Sequence, residues 1–220
     1  MWPVTLTEPD LLDAPVMLRP LRVCDARIRQ QVREANAAWL RPWVEASNPE
    51  TPQARSPFEP YVSMVRQSPI GPYISVLRRR REARQGIALL WAVCYGGQFA
   101  GELIVWHFFW GSSRSAQVGY WIDQRLAGRG ITPTVLAMAV DHCFQTVGLH
   151  RIEACIRPEN APSRRMVEKL GFRNEGVRVR EVHIDGDWRD HICYAITTEE
   201  VPTGMLRRWR SSLAVSQSGA

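Results

Sequence analysis

The chain has 220 residues, of which 45% are hydrophobic and 23% are charged. These proportions exclude wholesale disorder, and the length suits one compact domain with a sizeable core. No window approaches 18 consecutive apolar residues, which argues against a membrane-spanning helix. The first 15 residues lack the basic and apolar regions of a secretory signal, so none is expected.

The charge and the cysteines restrict the partners and the compartment. The net charge is +6, and the basic residues are 27 Arg and the single Lys169. A basic excess predicts an anionic partner, such as nucleic acid, the ribosome or a phosphate-bearing cofactor, whereas the bias against Lys is typical of a GC-rich genome. The five cysteines are scattered and include no CxxC pair. They are interpreted as free thiols of a cytoplasmic protein, and no metal site is expected.

The first forty residues are predicted to hold one strand and one helix. Residues 1–15 contain proline and polar breaks and are interpreted as an irregular lead-in. The alternation over residues 16–22 predicts a short strand. Apolar residues then recur at helical spacing up to about Leu40, with Asp25 as the predicted N-cap and Pro42 as the stop.

Residues 44–84 are less regular. The segment 44–60 is polar and rich in proline, which predicts a loop. A second helical stretch lies within residues 58–84, with an interruption near 69–72. The four consecutive arginines at 78–81 are interpreted as the solvated end of a helix, in preference to a binding patch.

The hydrophobic period changes from residue 87 onward. Apolar runs over residues 87–95, 99–109 and 117–122 are separated by glycine-containing turns, which predicts an antiparallel meander of three strands. The predicted elements that follow are a helix from its N-cap Thr132 to Gly148, a strand over 151–156, a helix from Asn160 to Leu170, and a hairpin of strands 177–184 and 191–197 around Asp185-Gly186. The residues from 203 to 220 are predicted to form a loose tail.

This order of elements predicts the fold class. It is that of an α/β chain of the α+β type, with a mixed, mostly antiparallel central sheet and helices on both faces. One parallel βαβ crossover is expected in the middle of the chain. Residues 16–202 are predicted to form a single domain.

The segment from Arg125 to Thr132 carries the clearest chemical signal. It lies between a predicted strand and a predicted helix, and it contains Gly128 and Gly130. Glycines let the backbone approach a ligand closely, and N–H groups at a helix N-terminus attract phosphate. The segment lacks both the Walker ending and the dinucleotide spacing. By itself it is therefore also compatible with an ordinary connection between a strand and a helix.

Further residues make the sequence resemble the GNAT acetyltransferase superfamily. The pattern Arg-x-x-Gly-x-Gly after an antiparallel strand is similar to the acetyl-CoA loop of that superfamily. The phrases that follow resemble its Rim-type group, the ribosomal-protein N-terminal alanine acetyltransferases. They are His150-Arg151-Ile152, Asn160 with Ser163, Leu170-Gly171-Phe172, Glu175-Gly176, and the run from Ile184 to His191.

The resemblance implies a GNAT-like fold, acetyl-CoA as co-substrate and direct transfer of acetyl to an amine, without a metal. The cofactor contacts that it implies are Tyr120, Trp121, Ile122, Arg125, Leu126, Ala127, Gly128, Arg129, Gly130, Ile131, Thr132, Asn160 and Ser163. The implied acceptor is a protein N-terminus, such as that of a ribosomal protein. Neither a membrane nor a direct nucleic-acid partner is expected, and both a monomer and a homodimer remain open.

Acetyl transfer also requires a proton acceptor for the amine and a proton donor for the departing thiolate. Ser163 matches the donor position, although it could equally cap or line its helix. Glu102 and Glu181 are the candidate bases, with Glu153 as a further carboxylate, and each has a salt-bridged or solvated alternative. Asp190 matches a residue of the Rim-type group and could be structural. For Trp121, core packing is the favoured alternative to cofactor contact.

Two other functions remain open at the level of sequence. The same fold could acetylate a small amine, such as an antibiotic, a polyamine or an amino acid. The basic charge would also suit a non-catalytic protein that binds the ribosome or RNA. The latter ranks last because no strand shows the aromatic and basic pattern of RNA-binding sheets.

Overall fold

The computed structural model describes residues 3–43, 69–184 and 186–218. Its strands are β1 (Leu6–Glu8), β2 (Val16–Pro20), β3 (Leu89–Tyr95), β4 (Gln98–Phe109), β5 (Ser115–Ile122), β6 (Arg151–Ile156), β7 (Arg173–Ile184) and β8 (Asp187–Thr197). Its helices are α1 (Asp25–Ala35), α2 (Ala37–Leu40), α3 (Gly71–Arg84), α4 (Ile131–His142), α5 (Ala161–Leu170) and α6 (Met205–Ser218). Short 3-10 turns cover Gln124–Leu126 and Thr198–Glu200, and a π turn, Cys143–Val147, continues α4.

The described strands form one sheet in the order β1-β2-β3-β4-β5-β6-β8-β7. Every neighbouring pair is antiparallel except β5 and β6, which run parallel and are joined through α4. This arrangement confirms the predicted mixed, mostly antiparallel sheet, including the single βαβ crossover. The antiparallel meander of β3, β4 and β5 is confirmed as well.

Strand alternation divides the buried side chains between two layers. On one face of the sheet, Trp91 and Leu103 pack in a large core with Leu136 of α4 and Trp209 of α6. On the opposite face, a smaller cluster joins Ala26 of α1 and Val76 of α3 to β3, with Leu90, Ala92 and Cys94. Helices therefore cover both faces, as predicted. No helix in the described part of the chain is long and apolar enough to cross a membrane.

Both predicted ends of the chain need correction. Strand β1 lies within the segment expected to be an irregular lead-in, and it pairs with β2. The expected loose tail is instead the helix α6, whose Met205 and Trp209 are buried. The carboxylate of Asp141 accepts hydrogen bonds from the backbone N–H groups of Met205 (2.6 Å) and Leu206 (3.0 Å), and so satisfies the first turn of α6. This cap lies more than sixty residues away along the chain, so the local sequence does not reveal it.

The predicted helix starts are partly wrong. The helix expected from Asp25 to about Leu40 is divided at Asn36 into α1 and α2. Asp25 is the first helical residue, and its carboxylate accepts from the N–H of Arg22 at 2.6 Å. The N-cap of α4 is Gly130, which precedes the expected N-cap Thr132 by two residues. The cap at Asn160, the end at Gly148 and the last helical residue Leu170 agree with the prediction.

Two predictions fall wholly or partly outside the described residues. The proline-rich loop expected at 44–60 lies outside them, as does Asp185 in the last hairpin. Of the helical stretch expected within 58–84, the described part is α3, which begins at Gly71, within the expected interruption. The arginine run at 78–81 lies inside α3 and does not form its end.

Candidate active site

The parallel strands β5 and β6 separate at the centre of the sheet. They pair only where Ser115 to Gln117 face Arg151 to Glu153. Strand β5 continues to Ile122, so its second half has no partner on the side of β6. An unpaired strand edge offers backbone N–H and C=O groups to an extended ligand. The sheet therefore contains a wedge-shaped gap lined by β5.

The segment from Arg125 to Thr132, which we call the glycine loop, connects the end of this gap to α4. The turn Gln124–Leu126 follows β5, and Gly130 precedes the first residue of α4. Among the described residues, the backbone N–H groups from Gly128 to Thr132 donate no hydrogen bond within the protein. These N–H groups lie at the positive end of the α4 dipole, which favours a bound phosphate.

The loop also has room for a ligand at its central glycine. Gly128 has a φ of +81°, and a Cβ atom added there would meet no other atom within 4 Å. The backbone at this point is thus open to the outside and has the left-handed conformation that glycine tolerates. An open backbone with unused N–H groups fits the diphosphate of a coenzyme A molecule. Ile131 contributes only its backbone to this loop because its side chain is buried in the core.

Arg125 begins the loop and pairs with a neighbouring carboxylate, while its side chain is 80% exposed. Its guanidinium pairs with Asp123 at 2.5 Å, and Asp123 also accepts from the Arg125 backbone N–H at 3.1 Å. The Arg125 side chain, which hydrogen-bonds Asp123, lowers the pKa of that carboxyl group, although burial opposes this effect. The pair therefore stabilises the turn that begins the loop.

Sequence reasoning missed a contact that ties this turn to the other face of the sheet. Asn36, at the junction of α1 and α2, is buried, and its Oδ1 accepts from the N–H of Gln124 at 2.8 Å. Its Nδ2 donates to the carbonyl of Val32 at 2.8 Å. The two partners in the first bond are 88 residues apart. No local pattern could have predicted it.

Two hydroxyl groups meet across the gap. The Oη of Tyr120 on β5 lies 2.7 Å from the Oγ of Ser163 on α5, and either atom can donate. Burial raises the pKa of Tyr120 above its ordinary value, so the phenol stays protonated. Asn160 accepts from the Ser163 backbone N–H at 3.3 Å, which fixes the start of α5. Ile122 and Leu126 pack against the core beside Tyr120.

Glu102 lies on the opposite face, inside a network of cations. It is 4% exposed, and its carboxylate pairs with Arg29 at 2.6 Å and with Arg33 at 3.7 Å. The indole N–H of Trp121 donates to Glu102 at 2.9 Å, so this tryptophan faces away from the α4 side. Burial alone would raise the pKa of Glu102, but Arg29 and the other donors lower it below its ordinary value.

Glu181 lies on β7, close to Cys155 of β6 and Cys193 of β8. Arg178 donates to its Oε1 at 2.8 Å, whereas its Oε2 is buried and has no hydrogen-bond partner. One ligand atom from each of Glu181, Cys155 and Cys193 lies within 4.8 Å of the others. All five cysteines are free thiols. Glu153, the further candidate base on β6, pairs with Arg151 at 2.9 Å and with Arg178 at 3.0 Å.

Asp190 has a backbone partner. Its Oδ1 accepts from the N–H of Arg180 at 2.8 Å, at a point where the register between β7 and β8 shifts. Arg180 has a φ of 51°, which is uncommon for a residue other than glycine. The carboxylate of Asp190 therefore holds an irregular segment of β7, which is the structural alternative left open by the sequence.

Comparison with known proteins identifies the family of the chain. The model of the acetyltransferase (GNAT) domain matches residues 15–173. The chain therefore belongs to the GNAT acetyltransferase family.

Its relatives include enzymes of the Rim type. The solved structure of Mycobacterium smegmatis RimJ in complex with CoA-disulfide is 36% identical, with a TM-score of 0.83, and the match covers 96% of this chain and 95% of that one. The [ribosomal protein uS5]-alanine N-acetyltransferase of Escherichia coli is 36% identical over 94 residues, 43% of this chain and 48% of that protein. The probable N-acetyltransferase YjcK of Bacillus subtilis is 38% identical over 96 residues, 44% of this chain and 53% of YjcK. The matches thus span about half the length of these two curated relatives.

Proposed function

We propose that the protein transfers acetyl from acetyl-CoA directly to the α-amine of a protein N-terminus, of the ribosomal-protein alanine type. The observation that carries this proposal is the half-paired strand β5, with the glycine loop at its end and the Tyr120–Ser163 pair beside it. The likeness to RimJ over nearly the whole chain, with CoA-disulfide in that structure, supports it. Acetyl-CoA supplies the activated acyl group, and the protein positions it and moves protons.

The proposed binding follows the strand edge. The free edge of β5 pairs with the extended arm of acetyl-CoA, and the unused N–H groups from Gly128 to Thr132 hold its diphosphate. Asn160 lines the same arm. The core fills the face of β5 that bears Tyr120, so the acceptor approaches from the opposite face, where Gly119 and Trp121 lie.

The proposed proton transfers use groups on both sides of the gap. Ser163 donates a hydrogen bond to the departing thiolate, which takes its proton from solvent, and Tyr120 holds and orients the Ser163 hydroxyl. Glu181, which has one oxygen without a partner, accepts the proton of the acceptor amine. Glu102 is less suited to that task because its lowered pKa makes it a weak base. In addition, Arg29 already donates a hydrogen bond to its carboxylate.

An acceptor panel tests the proposed function. The panel offers peptides that begin with Ala or Ser, the same peptides with a blocked N-terminus, and the small amines spermidine and kanamycin. We expect acetylation of the free peptides, with the added mass located on the α-amine by fragment-ion mass spectrometry. Preferential acetylation of a small amine would contradict the proposal, as would no turnover of any acceptor by protein that binds acetyl-CoA in calorimetry.

Removal of the Ser163 hydroxyl should slow the chemical step. We expect Ser163→Ala to lower kcat roughly 100-fold or more, as is typical when a donor to the transition state is lost, with little change in the KM for acetyl-CoA. Tyr120→Phe should give a smaller loss in the same direction because it only orients Ser163. Steady-state kinetics with a saturating peptide measures both effects. An unchanged kcat in Ser163→Ala would contradict a catalytic role for Ser163 and favour a structural role at the start of α5.

A further inference from the structure

Among the described residues, three arginines lie around the single carboxylate of Glu102. Arg29 and Arg33 lie one turn apart on α1, and Arg79 comes from α3, which packs beside α1. We call these three residues and Glu102 the guanidinium pocket. Arg29 makes the shortest contacts with Glu102: its Nε and Nη2 atoms donate to the two carboxylate oxygens at 2.6 and 3.2 Å. Arg33 has one contact of 3.7 Å to the same carboxylate.

Arg79 and Arg33 are incompletely compensated. The Nε of Arg79 is buried and has no hydrogen-bond partner among the described residues. The nearby carboxylate of Glu82 faces Arg78 at 3.7 Å on the outer side of α3. Burial lowers the pKa of both Arg33 and Arg79, and the charge of Arg29 lowers both further. Buried cations with too few anions are costly unless another anion binds beside them.

The guanidinium pocket borders the acceptor side of the gap. Trp121 lies on the unpaired half of β5, directly opposite Glu102 on β4. Its indole donates to Glu102, and the guanidinium of Arg33 lies 5.6 Å from the centre of its ring. The Arg33 side chain is 33% exposed and is thus accessible to a bound molecule. The glycine loop leads into α4 on the other face of the sheet, so this pocket is separate from the proposed diphosphate site.

We propose that Arg33 and Arg79 bind a carboxylate on the acceptor, carried by an Asp or Glu side chain close to its N-terminus. This inference rests on the proposed function and adds a substrate class to it, namely peptides that are acidic near the reacting amine. A carboxylate completes the hydrogen bonds of two guanidinium groups and balances their charge in a partly buried place. Arg29 and Glu102 hold the pocket together beneath it.

Paired peptides test the inference. Two peptides begin with Ala and differ only in having Glu or Gln at positions two to four. We expect the wild-type protein to show a kcat/KM roughly tenfold higher for the Glu peptide, the size of one charge-assisted hydrogen-bond pair. Arg33→Gln and Arg79→Gln should each bring the ratio towards one, mainly by lowering kcat/KM for the Glu peptide. Arg33→Lys should retain part of the preference.

Arg78→Gln is the matched control because it lies on the same helix with a side chain that is 62% exposed. We expect it to keep the full preference. Equal rates with both peptides in the wild type would overturn the pocket while leaving the proposed function intact, whereas no acetylation of either peptide would overturn the proposed function itself. A rise in the KM for acetyl-CoA in Arg33→Gln or Arg79→Gln, equal with both peptides, would assign the pocket to the coenzyme and also overturn the inference.

Discussion

Gly128→Glu is expected to abolish acetyl-CoA binding. The new carboxylate would occupy the open side of the loop and repel the diphosphate, and its backbone would be held at a φ of +81°, which is unfavourable for Glu. We expect at least a hundredfold loss of affinity, about 2.7 kcal/mol or more. Isothermal titration calorimetry with acetyl-CoA measures it directly.

Two variants separate charge from backbone strain. Gly111→Glu, in the turn between β4 and β5, is a control because Gly111 also has a positive φ, +78°, and open space around it. It should bind acetyl-CoA with wild-type affinity. Gly128→Ala should lose much less affinity than Gly128→Glu because it adds only one methyl group to the open side. Retained affinity in Gly128→Glu would show that the diphosphate does not bind at this loop.

Glu102→Gln should lower the stability of the fold substantially. The variant leaves Arg29, Arg33 and Arg79 without their shared carboxylate, and loss of one partner from a buried ion pair typically costs about 3–5 kcal/mol. Urea unfolding followed by tryptophan fluorescence measures the loss. Glu181→Gln is the comparison, because the cation paired with Glu181, Arg178, has a side chain that is 42% exposed. It should keep its stability and lose kcat, in line with its proposed role as base.

The same substitution should change the acid limb of stability. The pKa of Glu102 is lower in the folded protein than the value of about 4.3 expected in the unfolded chain. Its contribution is therefore complete above that pH and is lost as the pH falls towards the folded-state pKa. We expect the wild type to lose stability on acidification more steeply than Glu102→Gln. Parallel curves would mean that Glu102 does not carry this dependence, and a stable Glu102→Gln without activity would return Glu102 to the list of possible bases.

The local parts of the candidate site could be predicted from the sequence. The glycine loop, the strand before it and the Asn160 cap are each contained in a few consecutive residues, whose backbone requirements are visible as residue types. The order of strands and helices followed from hydrophobic periods in the same way. The error at the C-terminus arose because the first turn of α6 is satisfied by Asp141, on another helix.

The partners of the charged and hydroxyl groups depend on contacts between residues that are distant in the chain. Tyr120 and Ser163 are 43 residues apart, and Arg29 and Glu102 are 73 residues apart. Their meeting depends on strand register and on which face of the sheet each helix covers, and neither leaves a mark in the local sequence. For the same reason, the sequence predicts that the whole arginine run of α3 is solvated, whereas helical geometry points Arg78 outward and turns Arg79 towards Glu102.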